Sequence, residues 1–313
     1  MTDLLFLSAA EVAALVTPAG LLGAQRSALV QISQGTAAVP ARTAARAPAG
    51  LIESMPGYLP GMGYGAKLIS HQAGNAARGL PLHHALLALF DPDTGVPLAV
   101  LEASQLTALR TAAVSAVAAG ALARPDARSL AIIGSGAQAA AHLELLPAVR
   151  DFAEVRIAAR NKAAARDLAR RHPRAAVADG PQEAVTGADV ICCCTSAADP
   201  VLDAGWLAPG AHVSSVGMGR EIDPATAGMA SIFVEGRAAA TAPYPSGALE
   251  VQGLAPQALT EIGAVLDGTS PGRTWPGQLT FFKSVGHAAE DMAAGHLAYT
   301  AACARGAGRR LRL

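Results

Sequence analysis

Leu130-Ala131-Ile132-Ile133-Gly134-Ser135-Gly136-Ala137-Gln138-Ala139 is the stretch that decides the fold. Four apolar residues, enough for a buried strand, run into Gly-x-Gly-x-x-Ala, and a helical pattern over 138–149 follows at once. Gly134 permits the tight turn, Gly136 lets a pyrophosphate approach the backbone, and the small Ala139 allows the helix to close on the strand. The helix N-terminus offers unpaired N–H groups to the anion. Ser135, Ala137 and Gln138 complete this turn, so the stretch predicts a dinucleotide site.

Working outward, the texture repeats as strand, turn, helix: apolar runs at 155–159, 190–195, 212–217 and 232–235 alternate with helical patterns such as 163–171. That alternation predicts parallel strands with crossover helices, an α/β doubly wound sheet of Rossmann type over 125–285. Upstream, ARPDAR at 123–128 closes a long alanine-rich helical pattern (103–122) and marks the boundary. Before it come helical stretches within 9–34 and apolar runs at 50–58, 63–70, 84–90 and 96–102. Asp91-Pro92-Asp93-Thr94-Gly95 separates the last two as a hairpin turn. An antiparallel or mixed sheet is expected there. The helical segment 286–305 is expected to return to this part, giving a discontinuous α+β substrate domain of residues 1–124 plus 286–313.

The cofactor's identity is read at the end of the second strand of the dinucleotide domain. An acid there would take the ribose 2′-hydroxyl of NAD, but the sequence offers Arg160, Asn161 and Lys162. Two cations and an amide suit a 2′-phosphate, so NADP(H) is expected to be preferred, with NAD(H) as the alternative. Val216-Gly217-Met218-Gly219 falls at a strand's carboxyl end, the ligand side of such sheets, and reads as a wall of the nicotinamide pocket. Gly61-Met62-Gly63-Tyr64-Gly65-Ala66-Lys67 resembles a phosphate loop only superficially, because Ala66 and Leu68 flank the lysine.

Length and composition bound the rest. The chain has 313 residues, room for two domains, and 24 basic residues balance 24 acidic ones. With only 15% charged residues there is no basic footprint for nucleic acid or an anionic membrane, and neither is expected as a partner. Cys192, Cys193, Cys194 and Cys303 have neither disulfide nor zinc spacing, and no His motif suggests a metal. No uncharged stretch reaches the roughly 18 residues of a membrane span, and the first eight residues lack a basic region. A cytoplasmic protein with reduced thiols is expected.

Three cations stand among apolar or glycine-rich residues: Arg42, Lys67 and Arg110. Buried charge is costly unless paired, so together they suggest a small anionic substrate, a carboxylate.

PARTAAR (40–46), MPGYLPGMGYGAKLIS (55–70), GNAARGLPLHHAL (74–86), LRTAAVSA (109–116), IIGSGAQAAAHLE (132–144), WLAPGAHVSSVG (206–217) and FFKSVGHAAEDMAA (281–294) occur in this order. In that combination the sequence resembles the ornithine cyclodeaminase/mu-crystallin family over essentially its whole length. The resemblance implies a substrate and dimerisation domain, a Rossmann domain and a homodimer. It further implies that Arg42, Lys67 and Arg110 contact the substrate's carboxylate and nitrogen, with Lys67 and Arg110 catalytic and Val285 beside the substrate. Arg110 and Thr111 would lie next to the nicotinamide, and Thr195 and Ser284 would join the glycine turn and Gln138 as dinucleotide contacts. Cyclodeaminating members carry a Gly-Asp pair where this chain has Met218-Gly219, and their aspartate handles the amine. Glu221 and Asp223 come later and would have to be re-aimed. The resemblance therefore implies an NADPH-preferring ketimine reductase acting on Δ1-pyrroline-2-carboxylate and Δ1-piperideine-2-carboxylate, yielding L-proline and L-pipecolate. Ornithine cyclodeamination, alanine or N-alkyl amino-acid dehydrogenation, and ligand binding without catalysis are the alternatives.

Overall fold

The computed structural model describes residues 3–313. In chain order the first elements are β1 (Asp3–Leu7), α1 (Ala9–Leu15), α2 (Pro18–Ser33), β2 (Thr43–Ala47), β3 (Gly50–Leu59), β4 (Gly63–His71), β5 (His83–Phe90), β6 (Pro97–Glu102) and α3 (Ser104–Leu122). There follow β7 (Ser129–Ile133), α4 (Ala137–Leu145), β8 (Glu154–Ala158), α5 (Lys162–Ala169), β9 (Ala175–Val177), α6 (Pro181–Val185), β10 (Val190–Cys193), β11 (His212–Ser215), α7 (Pro224–Met229), β12 (Ser231–Val234), β13 (Leu259–Glu261), α8 (Ile262–Leu266) and β14 (Thr280–Lys283). The chain closes with α9 (Ala288–Arg305) and β15 (Arg309–Arg312).

Two compact units result. One comprises the chain up to Arg110 together with His287–Leu313; the other is Thr111–Gly286. The first holds a seven-stranded mixed sheet in the order β15-β1-β6-β5-β4-β3-β2, parallel only between β1 and β6. The turn between β5 and β6 is built by Asp91, whose carboxylate accepts from the Asp93 and Thr94 N–H groups, with Gly95 at positive φ. Period two is clean where a helix covers one face: Gly63, Gly65, Lys67 and Ile69 of β4 are buried while Tyr64 and Leu68 are exposed.

Helix α9 lies against α2 and against β3, β4 and β5. Glycine allows this approach. A Cβ at Gly65 would lie 2.9 Å from the Met292 side chain, and one at Gly295 would lie 2.2 Å from that of Leu87. The glycine-rich stretch that imitates a phosphate loop is thus a hairpin, with Gly61 and Gly63 at positive φ in its turn and Gly65 pressed under α9.

The second unit is an eight-stranded sheet, all parallel, in the order β13-β12-β14-β11-β10-β7-β8-β9. β7 and β10 are buried along their whole length, as strands covered on both faces must be. The doubly wound α/β fold is as the sequence suggests, with more strands than the apolar runs indicate. β9 and β13 are three residues each, and β14 offers only Thr-Phe-Phe-Lys. In the other sheet, β2 (TAARA) and β15 (RRLR) are edge strands without a buried face, so they carry no alternation to read. α3 is long and apolar enough to pass a membrane-span test by length and composition, but most of it is buried inside the protein.

Candidate functional site

In the second unit the glycine turn sits between β7 and α4. Gly134 has φ of +132°, and a Cβ there would lie 2.5 Å from the Cys194 carbonyl oxygen, so no other residue fits the turn. Gly136 is the N-cap of α4, has no side-chain cap, and a Cβ built on it would meet nothing within 4 Å. Backbone N–H groups at a helix start, open on the side where a Cβ would stand, are what a diphosphate requires. Oε1 of Gln138 is buried and has no hydrogen-bond partner among the described residues. A cleft of about 320 Å³ opens beside the turn, lined by Ser135, Gly136, Ala137 and Ala140 and, from α5 and just after it, by Ala164, Asp167, Leu168 and Arg171. These features fit a dinucleotide.

The residues after β8 divide their work. Arg160 is exposed. Asn161 caps α5, its Oδ1 accepting from Ala164 N–H at 3.0 Å. Lys162 Nζ donates to the carbonyls of Ala178 at 2.9 Å and Asp179 at 2.6 Å, which binds its ammonium to the end of β9 rather than presenting it outward.

At the carboxyl ends of β10, β11 and β14, three adjacent strands, two buried acids organise the backbone. Glu221 Oε1 accepts from Thr195 N–H at 2.6 Å and Thr195 Oγ at 2.7 Å, and its Oε2 accepts from Gly217 N–H at 2.7 Å. Glu235 accepts from Ser284 Oγ at 2.5 Å and from the N–H groups of Val285 and Gly286 at about 3.1 Å. Thr195, Val216, Gly217, Met218, Ser284 and Val285 therefore fall on one sheet edge, held by carboxylates that the sequence pattern left unassigned. Asp223 caps α7, accepting from Thr226 N–H. Thr111 is buried on α3.

The first unit gathers the charged residues. Lys67 and Asp291 are each only 2% exposed and form an ion pair of 2.7 Å. Arg110 Nε donates to the other oxygen of Asp291 at 2.9 Å, and its Nη1 donates to Glu290 at 2.7 Å. Glu290 also accepts the His287 N–H in the box that caps α9, so the start of that helix and the cluster are fixed together. Arg42 Nη1 lies 3.7 Å from Glu53, which His71 approaches to 3.3 Å, and the His71 and His83 rings meet edge to face with centroids 4.4 Å apart. The pairing that the sequence suggests a substrate would provide is thus supplied by acids of the same unit.

Burial lowers the Lys67 ammonium to about 8, against a rise from Asp291 and a further lowering from Arg110. Burial raises the Asp291 carboxyl, but the Arg110 and Lys67 charges outweigh it and hold it below the ordinary range. Glu53 is also lowered, burial being outweighed by His71 and Arg42. Burial pushes the thiols of Cys192, Cys193 and Cys194 up, leaving them inert thiols in and beside β10. His142 is buried and lowered to about 4, and it bridges the Gln138 carbonyl to Ser115 Oγ.

Sequence reasoning does not reach Glu53, His71, Glu235, Glu250, Lys283, Glu290 or Asp291, and it names Glu221 only as an acid that would have to be re-aimed. A signal existed for Glu290 and Asp291: two acids in the first turn of a helix otherwise lined with alanine on its buried side. None existed for Glu53, whose partners are Arg42, just before β2, and His71 of β4.

Residues 2–306 match the model of the ornithine cyclodeaminase/mu-crystallin family. The mouse ketimine reductase mu-crystallin is 38% identical over 238 residues, 74% of this chain and 74% of that protein. The structure of Thermococcus litoralis Δ1-pyrroline-2-carboxylate reductase with NADH and L-proline aligns with a TM-score of 0.90 at 30% identity, over 98% of this chain and 100% of that one. An archaeal alanine dehydrogenase dimer with bound NAD aligns with a TM-score of 0.89 at 29% identity, over 100% of both chains.

Proposed function

Since the chain belongs to the ornithine cyclodeaminase/mu-crystallin family and is an NAD(P)H-dependent oxidoreductase, we propose that it reduces cyclic ketimine carboxylates, Δ1-pyrroline-2-carboxylate and Δ1-piperideine-2-carboxylate. The products would be L-proline and L-pipecolate. One observation carries the choice of reduction over cyclodeamination. Cyclodeamination needs a carboxylate free to manage an amine, yet Met218-Gly219 supplies none, and the next acid, Glu221, is buried with its oxygens taken by Thr195 and Gly217. Reducing a preformed imine needs a held carboxylate, a protonated nitrogen and an exposed carbon, which position and charge supply.

In this reading Arg42 and Arg110 hold the substrate carboxylate. Lys67, poised near neutrality by its burial, keeps the imine nitrogen protonated, and Asp291 orients the Lys67 ammonium through their ion pair. The glycine turn with Gln138 holds the diphosphate, Arg160 and Asn161 receive a 2′-phosphate in preference to a bare hydroxyl, and Thr195, Val216–Met218 and Ser284 line the nicotinamide side. Held there, a reduced nicotinamide would supply the hydride that the imine carbon requires. Val285 lies next to Ser284, with its N–H fixed by Glu235.

We also assign the homodimer to the uncovered face of the mixed sheet. Ile52, Tyr64, Leu68 and Leu86 are 45–49% exposed, and register places Ser54, Leu68 and Leu86 side by side on that face. Such a contiguous apolar face is what a self-complementary interface buries.

The test is consumption of NADPH with Δ1-pyrroline-2-carboxylate, run beside pyruvate with ammonium and beside L-ornithine with NAD+ and an ammonia assay. Imine turnover well above the other two is expected. Comparable rates with pyruvate and ammonium would make the protein an alanine dehydrogenase, and ammonia from ornithine would return an acid to the role denied to Glu221.

A further inference from the structure

We propose that Glu221 is a positioning residue for the nicotinamide half of the cofactor, acting through the Thr195 and Gly217 backbone without touching the dinucleotide. The inference rests on the cofactor reading above, not on the choice of imine. Glu221 is completely buried, and each of its oxygens takes two donors: Oε1 from Thr195 N–H and Oγ, Oε2 from Gly217 N–H and from Ser215 Oγ at 2.8 Å. From the other side, Lys283 Nζ donates to the Gly217 carbonyl at 2.6 Å, to Ser215 Oγ at 2.9 Å and to Glu250 Oε1 at 3.0 Å. Glu250 Oε1 in turn accepts from Glu221 N–H at 3.0 Å. Gly217 is therefore clamped at both its N–H and its carbonyl.

The space around the clamp is full. A Cβ on Gly217 would lie 2.5 Å from the Glu221 carboxyl carbon and 2.6 Å from the Thr195 carbonyl oxygen, and one on Gly219 would lie 2.0 Å from the Ala197 carbonyl oxygen. The loops after β10 and β11 thus interlock around one carboxylate, at the carboxyl edge of the sheet where dinucleotides are received. A buried carboxylate with two donors on each oxygen cannot turn without stranding some of them, so the loops have one arrangement.

Glu221→Gln tests this. In either orientation of the amide, its NH2 group meets a backbone N–H, of Thr195 or of Gly217, that can only donate, so the loop carrying it must shift. NADPH binding, followed by fluorescence titration without any imine, is expected to weaken roughly tenfold to a hundredfold. ADP-ribose, which lacks the nicotinamide and relies on the glycine turn, is expected to bind as in wild type. Ser215→Ala removes one donor of the same carboxylate and should give the same split in smaller measure, which keeps the test open if Glu221→Gln does not fold. Equal weakening of both ligands would mark Glu221 as a general structural residue and overturn the proposal, as would unchanged NADPH affinity in a folded variant. Wild type that binds neither ligand would overturn the cofactor reading itself, and the proposal with it.

Discussion

Replacing Lys67 by methionine separates the chemistry of the buried cluster from its contribution to folding. The ammonium titrates at about 8 in place of 10.5, so the fold disfavours charged Lys67 by about 3 kcal/mol at neutral pH. Between those two values the unfolded chain binds more protons than the folded one, so stability rises with pH through the window: the penalty is fully present below about 8 and is relieved as pH passes 10.5. This penalty is already net of the attraction to Asp291, which raises the ammonium's value. Methionine removes it, and Asp291 stays paired with Arg110 Nε at 2.9 Å. Lys67→Met is therefore expected to fold with a melting temperature no lower than that of wild type. Its kcat/KM for the imine is expected to fall about a hundredfold or more, the contribution of a positioned acid. Wild-type rate should decline as pH rises through about 8, the methionine variant should lack that limb, and Lys67→Arg should keep its rate to higher pH because a guanidinium stays charged. Titration of the free imine is common to all three proteins and drops out of the comparison. An alkaline limb with an unchanged midpoint in Lys67→Met, or an unchanged rate, would refute the proton-holding role.

Arg160→Ala is expected to weaken NADPH and leave NADH binding as it was, whereas Lys162→Ala, which loses two carbonyl partners, should lower the melting temperature without discriminating between the cofactors. Parallel titrations with both dinucleotides decide this, and a selective effect at Lys162 would reverse the assignment. Leu68→Asp is expected to yield a monomer by sedimentation, since it places a charge in the uncovered face next to Leu86. A wild-type monomer would remove that interface. Among inhibitors, zwitterionic L-proline is expected to bind better than cyclopentanecarboxylate, its uncharged-ring analogue, and the reverse order would contradict the balanced charge of the cluster.

The glycine turn was legible because three constraints coincide there: a strand buried on both faces, a φ of +132° that only Gly134 adopts freely, and a helix start open at Gly136. The β5–β6 hairpin was legible for a similarly local reason, the Asp91 side chain closing its own turn. Edge strands were not. β2 and β15 are held by pairing on one side only, with side chains that solvent reaches, so nothing selects apolar residues in them. The site was legible in its cations and illegible in most of its acids. Lys67 stands out in an alternating strand. Glu221 follows a glycine pair in what reads as a surface loop, and only the doubling back of the chain at Gly217–Glu221 turns its carboxylate inward.

The acids also change what the cations imply. Taken alone, Arg42, Lys67 and Arg110 call for an anion. In the folded unit, Lys67 and Arg110 face Glu290 and Asp291, two positive groups against two negative ones, and Arg42 faces Glu53. A cluster balanced in this way gains little from a ligand that brings only negative charge, because its carboxylate must compete with Asp291 and Glu290 for the same donors. A protonated cyclic imine bearing a carboxylate is itself balanced. Its negative end can share the guanidinium groups while its positive end lies toward the acids, so that every buried charge keeps an opposite neighbour before and after binding. Removing the proton from the nitrogen breaks that balance by one charge. Lys67, lowered to about 8 by burial, is then the group able to restore it.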